Sequence, residues 1–246
     1  MLHRTFPLLR IGPVRRMLFT ALLVALPGWA AAAEVIVFGG TGKLGAQVVR
    51  ALDAAGHDVT VFRRDASDVS RLKGLKYREA IGDATRSADV QAAFAARRYD
   101  VVVDALAKGR NQPATFYIDT QRAIIAAAQA TGVKQVILHG SVGVGDSRSI
   151  YPESRWPSMQ DVLEAKGVAE RELIASGIPY TIIRNAVLRD DPPGVQEQAA
   201  LTTDQTRFGG VTRGGLGRLT AECTLAQACL GQIFHAVDPQ VTWGAR

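Results

Sequence analysis

Glycines at 39, 42 and 45 follow a run of four apolar residues, Val35 to Phe38. They precede a helical pattern carried by Leu44, Val48, Val49 and Leu52. The order strand, glycines, helix suits the capture of a dinucleotide pyrophosphate. One glycine makes the tight turn, one lets backbone approach the phosphates, and one lets helix and strand pack closely. Free N–H groups at the helix start would receive the anion, so Gly39, Thr41, Gly42, Lys43, Leu44 and Gly45 are candidate binding residues. A strand–helix turn without ligand is the alternative. The next strand, Asp58 to Phe62, ends in Arg63 and Arg64 where an acid would be expected for the ribose hydroxyls of NAD. Two guanidinium groups favour the 2′-phosphate of NADP over NAD. Asp83 could accept from the adenine amino group or simply close a turn. Ala105 and Leu106 begin a loop expected over the nicotinamide side. Ser141 lies beyond the carboxyl end of a strand, where ligands of open α/β sheets bind; a turn hydroxyl is its other reading.

The elements that must position these residues alternate regularly. Strands are expected at 35–38, 58–62, 75–81, 101–106, 136–140 and 178–185. Helices are expected over 87–96, 116–130 and 159–176. Asp104 interrupts an apolar strand and must meet polar partners or the strand end. Beyond residue 188 the chain is poor in apolar residues and carries Pro192 and Pro193, which reads as a substrate-side lobe formed mainly by 188–230. A short strand near 211–213, a helix over 216–226 and a last strand at 233–237 complete it. The expected fold class is α/β: a Rossmann-type, doubly wound parallel sheet with a small C-terminal substrate lobe.

The whole chain has 246 residues and a net charge of +6. Arg4, Arg10, Arg15 and Arg16 precede an apolar run from Met17 to Leu26 and the small residues Ala30 to Ala33. This is the layout of an export signal over 1–33, with residues 34–246 as the nucleotide-binding domain and a periplasmic or secreted destination. An uncleaved membrane anchor is the alternative; the run is short for a transmembrane span. Arg15-Arg16 with Met17, Leu18 and Phe19 partly matches a twin-arginine signal, although Val14 and Thr20 depart from it. Without the leader, 29 basic and 23 acidic side chains become 25 and 23, so basicity gives no argument for a nucleic-acid partner. We expect a small-molecule substrate, no nucleic acid, no stable membrane insertion after cleavage, and a monomer or homodimer.

Other chemistries find no constellation. His57, His139 and His235 are widely spaced, so no metal site is expected. Ser141 sits in H-G-S-V-G rather than the G-x-S-x-G of a nucleophile elbow. His139, two residues before Ser141, reads as a strand-end residue, with a proton relay as its other reading. Cys223 and Cys229 would be too far apart within one helix. A break near Ala226–Gln227 would let them pair in an oxidising compartment, and two separate buried thiols are the alternative.

The stretches GGTGKLG, Arg63-Arg64, GSVGVGDS at 140–147 and AKGVAERELIASGIPYTIIRN at 165–185 together resemble an atypical or extended short-chain dehydrogenase/reductase of the NmrA-like branch. The resemblance covers residues 34 to about 237 and implies NADP(H) along the strand tips. It implies catalytic roles for Ser141 and Lys166, the lysine holding the nicotinamide ribose. The family's tyrosine, four residues before that lysine, is replaced by Val162. Tyr151 imitates the motif with Arg155 at i+4 but is followed by Pro152. The expected function is an NADP(H)-dependent oxidoreductase acting on a small quinone- or flavin-like molecule. The alternative is a non-catalytic NADP(H)-binding sensor or assembly protein.

Overall fold

Alternating apolar residues divide the sheet into two faces, and each face recruits its own helices. The computed structural model describes residues 32–190 and 198–241. Strands β1 (Glu34–Phe38), β2 (Asp58–Arg63), β3 (Arg78–Ile81), β4 (Val101–Asp104), β5 (Gln135–Ser141) and β6 (Tyr180–Asn185) run parallel. Two short strands, β7 (Val187–Arg189) and β9 (Gly210–Thr212), form a separate ribbon. Strand β8 (Ala200–Thr202) runs antiparallel to β10 (Gln232–Val237), which itself joins β6 in parallel. Among the described residues the main sheet has the order β3-β2-β1-β4-β5-β6-β10-β8, and its direction of progression reverses between β1 and β4.

Val35, Val37, Val61, Val103, Ile137 and Ile183 point to one face, under helices α1 (Lys43–Ala54) and α5 (Arg213–Cys223). Ile36, Phe38, Phe62, Val102, Leu138 and Ile182 point to the other. That face is covered by α2 (Ser87–Ala96), α3 (Phe116–Thr131) and α4 (Trp156–Ala175). The period of two along each strand is what sends neighbouring residues to opposite cores.

Part of the stretch expected to form the substrate lobe joins the main body. Helix α5 packs with α1 on the sheet, while β8 and β10 extend the sheet itself. Pro192 and Pro193 lie outside the described residues, as does the expected leader apart from Ala32 and Ala33. Ala33 belongs to the fold: it is buried, its N–H donates to His57 Nδ1 at 3.1 Å, and its carbonyl accepts from Asp58 N. A cut after Ala33 would forfeit both bonds, whereas a cut before it keeps them. Among the described residues no helix is long and apolar enough to cross a membrane.

Cys223 and Cys229 form a disulfide, with Cα atoms 5.5 Å apart. Helix α5 ends at Cys223 and the chain turns through Leu225, at φ 57°, before a short 3-10 turn at Gln227–Cys229. The break comes about three residues earlier than the expected Ala226–Gln227, directly after Cys223, and brings the sulfurs together. The loop is tied to the sheet as well: Gln135 Nε2 donates to Cys223 O at 3.0 Å, and Thr181 Oγ1 donates to Cys229 O at 2.7 Å.

A second tie is ionic. Arg184 of β6 is only 4% exposed and meets Glu170 of α4, its Nη2 lying 2.8 Å from Oε2. The same guanidinium reaches Asp146 and, at 2.9 Å, Gln205 Oε1. It thereby joins the turn after β5, helix α4 and the segment leading to β9.

Two outcomes follow from these ties. Protein purified without reductant should be lighter by two hydrogens than after reduction, and a Cys223→Ala/Cys229→Ala variant should lose about 2 kcal/mol of stability in denaturant melts. Arg184→Met should cost about 3–5 kcal/mol, because it strands a buried carboxylate, whereas Arg184→Met/Glu170→Met should cost less. Burial already pushes the Glu170 carboxyl up, and the guanidinium opposes this. A carboxyl raised on folding binds its proton more tightly in the native state, so stability falls as pH rises. The Arg184→Met deficit should accordingly be larger at pH 8 than at pH 5.

Candidate functional site

The turn after β1 is set by contacts that exclude side chains. Gly39 adopts φ +76°, and a Cβ there would lie 2.5 Å from the carbonyl oxygen of Ala105, beyond β4. A Cβ on Gly45 would overlap the Gly39 carbonyl. Gly42 is different: an added Cβ would meet only the Gly39 oxygen, at 3.2 Å. It caps α1 with no side-chain oxygen on the first-turn N–H groups and no acid in that turn. The N-terminus of α1 thus keeps donors and a positive dipole end available for an anion.

A cleft of about 460 Å³ opens beside this turn, a size suited to a small-molecule ligand. Gly39, Thr41 and Gly42 line it with Arg63, Arg64, Asp83, Ala105 and Leu106. The structure therefore brings together most of the expected cofactor residues, at the strand tips where the sheet order reverses. Phe62 contributes an apolar wall, stacked on Phe38 with ring centroids 4.6 Å apart. Three residues of the turn and the start of α1 lie outside the cleft lining. Lys43 pairs with Asp190 at 3.1 Å, Leu44 packs toward the core shared by α1 and α5, and Gly45 permits the helix–strand approach.

Arg63 and Arg64 part company. Arg63 binds Glu79 of β3 through Nε at 2.8 Å and Nη2 at 2.7 Å, and its Nη1 donates to the carbonyls of Arg64 and Asp65. Arg64 is exposed on the cleft rim. Asp83 accepts from both the N–H and the hydroxyl of Thr85. Those bonds, with smaller help from Arg64 and Arg86, hold its carboxyl below the usual range despite partial burial.

Beyond Leu106 the floor turns polar. Asp104 ends β4, 5% exposed, and its Oδ1 accepts from Leu106 N at 2.9 Å. Burial pushes its carboxyl up to about 6, against the pull of that N–H group and of the Lys166 charge. Lys166 of α4 donates to His139 O at 3.3 Å and lies 4.9 Å from the centre of the Tyr117 ring. Burial pushes this ammonium down, while Asp104 and Glu170 oppose the shift. Asp104, Gln121, Lys166 and Glu170 surround a water-sized cavity of about 10 Å³. Both polar atoms of the Gln121 side chain are buried there without a partner among the described residues.

Ser141 ends β5, half-buried, and its hydroxyl makes no hydrogen bond among the described residues. Val162 stands four residues before Lys166 on α4, half-buried and without a proton to give. Tyr151 lies outside both the cleft and the cavity. It follows a 3-10 turn and packs edge-on against Trp156 and Phe208, each centroid 6.3 Å away. His139 is a core residue rather than a strand-end relay. Its Nε2 lies 3.1 Å from Thr220 Oγ1, whose own proton goes to Leu216 O. Nε2 must therefore carry the imidazole proton, and burial lowers the ring to about 3, so it stays neutral. Metal-ligand clusters of three or more candidates are absent among the described residues.

Sequence reasoning missed Arg110, Asn111 and Gln112, which line the same cleft as Arg64 and Asp83. The loop after β4 thus runs along the whole cleft instead of covering the nicotinamide side alone. A cation in a loop beyond a strand tip was the available signal. Gln121 was also missed, because a glutamine on a helix has no distinctive spacing.

Comparisons place these features among known proteins. A Methylococcus capsulatus protein named sterol demethylase protein B is 30% identical over 166 residues, covering 62% of this chain and 51% of that protein. A 3-diazoavenalumate denitrifying reductase of a Streptomyces species is 27% identical over 174 residues, covering 63% and 56% respectively. The chain spans about half the length of these curated relatives. The anaerobilin reductase ChuY of Escherichia coli O157:H7 shares the fold with a TM-score of 0.73 at 24% identity, covering 85% of this chain and 99% of its own. A wide-type short-chain dehydrogenase/reductase of Veillonella parvula, solved with NADP, gives 0.67 at 15%, covering 85% and 96%. The family model described as NAD(P)H-binding matches residues 39–226, from the glycine turn to the disulfide loop, and the chain belongs to that family.

Proposed function

We propose that this NAD(P)H-binding protein is an NADP(H)-dependent oxidoreductase acting on a small conjugated molecule of quinone or flavin type. The observation that carries the reading is the succession along one line of strand tips. An uncapped α1 N-terminus and a cleft lead to buried Asp104 and half-buried Lys166 beyond Leu106. Bound there, the nicotinamide would supply a hydride. The first-turn N–H groups of α1 would hold the pyrophosphate, Phe62 would wall the adenine, and Asp83 would accept from its amino group. Lys166 would hold the nicotinamide ribose, with Ser141 beside the substrate.

Val162 shapes the choice of substrate. A carbonyl substrate needs a proton donor at its oxygen, and that position offers only a branched alkyl group. Quinones and flavins accept a hydride with little help from a protein acid, so this site suits them better. The names of two relatives, a denitrifying reductase and an anaerobilin reductase, support reductive chemistry. The Veillonella neighbour supports NADP. The same Val162 favours the second reading, a protein that binds NADP(H) as a sensor or assembly factor without turning it over. We further propose export to an oxidising compartment, which the Cys223–Cys229 disulfide supports, and action as a monomer or homodimer.

Anaerobic titration with NADPH, followed by a panel of quinones, flavins and aldehydes, separates the two readings. Oxidation of bound NADPH by a quinone or flavin is the expected result; tight binding with no oxidation by any acceptor would leave only the sensor reading. Lys166→Ala should weaken nucleotide binding under both, by about tenfold for the loss of a charged hydrogen bond.

A further inference from the structure

The 2′-phosphate subsite can be rebuilt from the charges around the cleft, taking as given the reading that the cleft receives NADP(H). Arg63 has little left to offer. Of the five N–H donors of a guanidinium, four are engaged, two by Glu79 and two by the carbonyls of Arg64 and Asp65. Its charge is offset by Glu79, and its side chain is 13% exposed. What Arg63 does is fix the turn that presents Arg64. Arg64 in turn faces Asp83, whose ionised carboxylate offsets one positive charge on that rim.

Arg110 is the cation left over. It stands in the loop between β4 and α3, exposed, and lines the same cleft as Arg64, Ser67 and Asp83. It has no ion pair or hydrogen bond among the described residues. A phosphate dianion is best held by more than one guanidinium, each supplying charge and paired donors. One exposed arginine opposed by an aspartate falls short of that. We infer that Arg110 and Arg64, on separate segments of the cleft lining, form the clamp for the 2′-phosphate of NADP(H). Arg63 is then a positioning residue. The adjacent pair in the sequence is replaced by a pair 46 residues apart.

Dissociation constants of NADPH and NADH test this by calorimetry at fixed ionic strength, with no turnover required. The proteins are wild type, Arg110→Ala, Arg110→Lys, Arg64→Ala and the Arg64→Ala/Arg110→Ala double variant, each checked by thermal melting. Arg110→Ala should weaken NADPH by about tenfold or more, as for a lost hydrogen bond to a charged group, and leave NADH unchanged within about twofold. Arg110→Lys should restore part of the loss, and the two alanine effects should be non-additive, since both residues would hold one phosphate. If wild type prefers NADPH but Arg110→Ala leaves that preference intact, the clamp is wrong and the cofactor reading stands. If wild type binds NADPH no better than NADH, the NADP reading falls and the clamp falls with it.

Discussion

The contact on which the rest of the site depends is the bare approach of the Gly39 carbonyl to Gly45. Backbone meets backbone there with no room for a β-carbon. This closeness fixes where α1 begins, and so where its free N–H groups point. Gly39 also presses against the first residues beyond β4, which anchors the turn at the place where the sheet reverses its order. A cleft between two diverging parallel strands follows from that geometry. Phe62, Asp83 and the loop after β4 line a space whose position the glycines have already decided.

Around this rigid centre the protein distributes its interior charge unevenly. Glu170 and Arg184 neutralise each other through direct contact and bind three segments together. Asp104 and Lys166 act on each other electrostatically without a direct ion pair among the described residues. The first arrangement is structural, since Glu170, Asp146 and Gln205 all hold the one guanidinium. The second leaves polar atoms facing a small cavity at the end of the cleft. That contrast separates a staple from a site more clearly than residue type does, since both arrangements set a carboxylate near a cation with one of the two on α4.

Much of the scaffold was legible because its signals are local. The apolar runs at β1 and β4 and the polar ends of α2, which spans Ser87–Ala96 as expected, need no distant partner to be recognised. Helix α5 begins at Arg213, earlier than its apolar pattern suggests, because Thr212 Oγ1 accepts from Gly215 N and caps a glycine-rich first turn. Helix α4 likewise starts early, at Trp156 followed by Pro157, a residue suited to the first turn of a helix. The site was legible only in part. Two adjacent arginines look equivalent in sequence, but the neighbouring strand supplies Glu79 to one and nothing to the other. That asymmetry comes from the register of β2 against β3, which pairs Arg63 with Ile81 and Val61 with Glu79. The stretch read as a lobe looks poor in apolar residues, yet Leu216 and Leu219 join the core beside α1.

Gln121 gives the site a property that no single charged residue could supply. Its amide is fully buried, yet neither end finds a partner among the described residues. A buried amide without a partner is costly, and the water-sized cavity beside it is where one water would meet its hydrogen bonds. The wall behind the cleft would then be an amide and a single water set against the charges of Asp104 and Lys166.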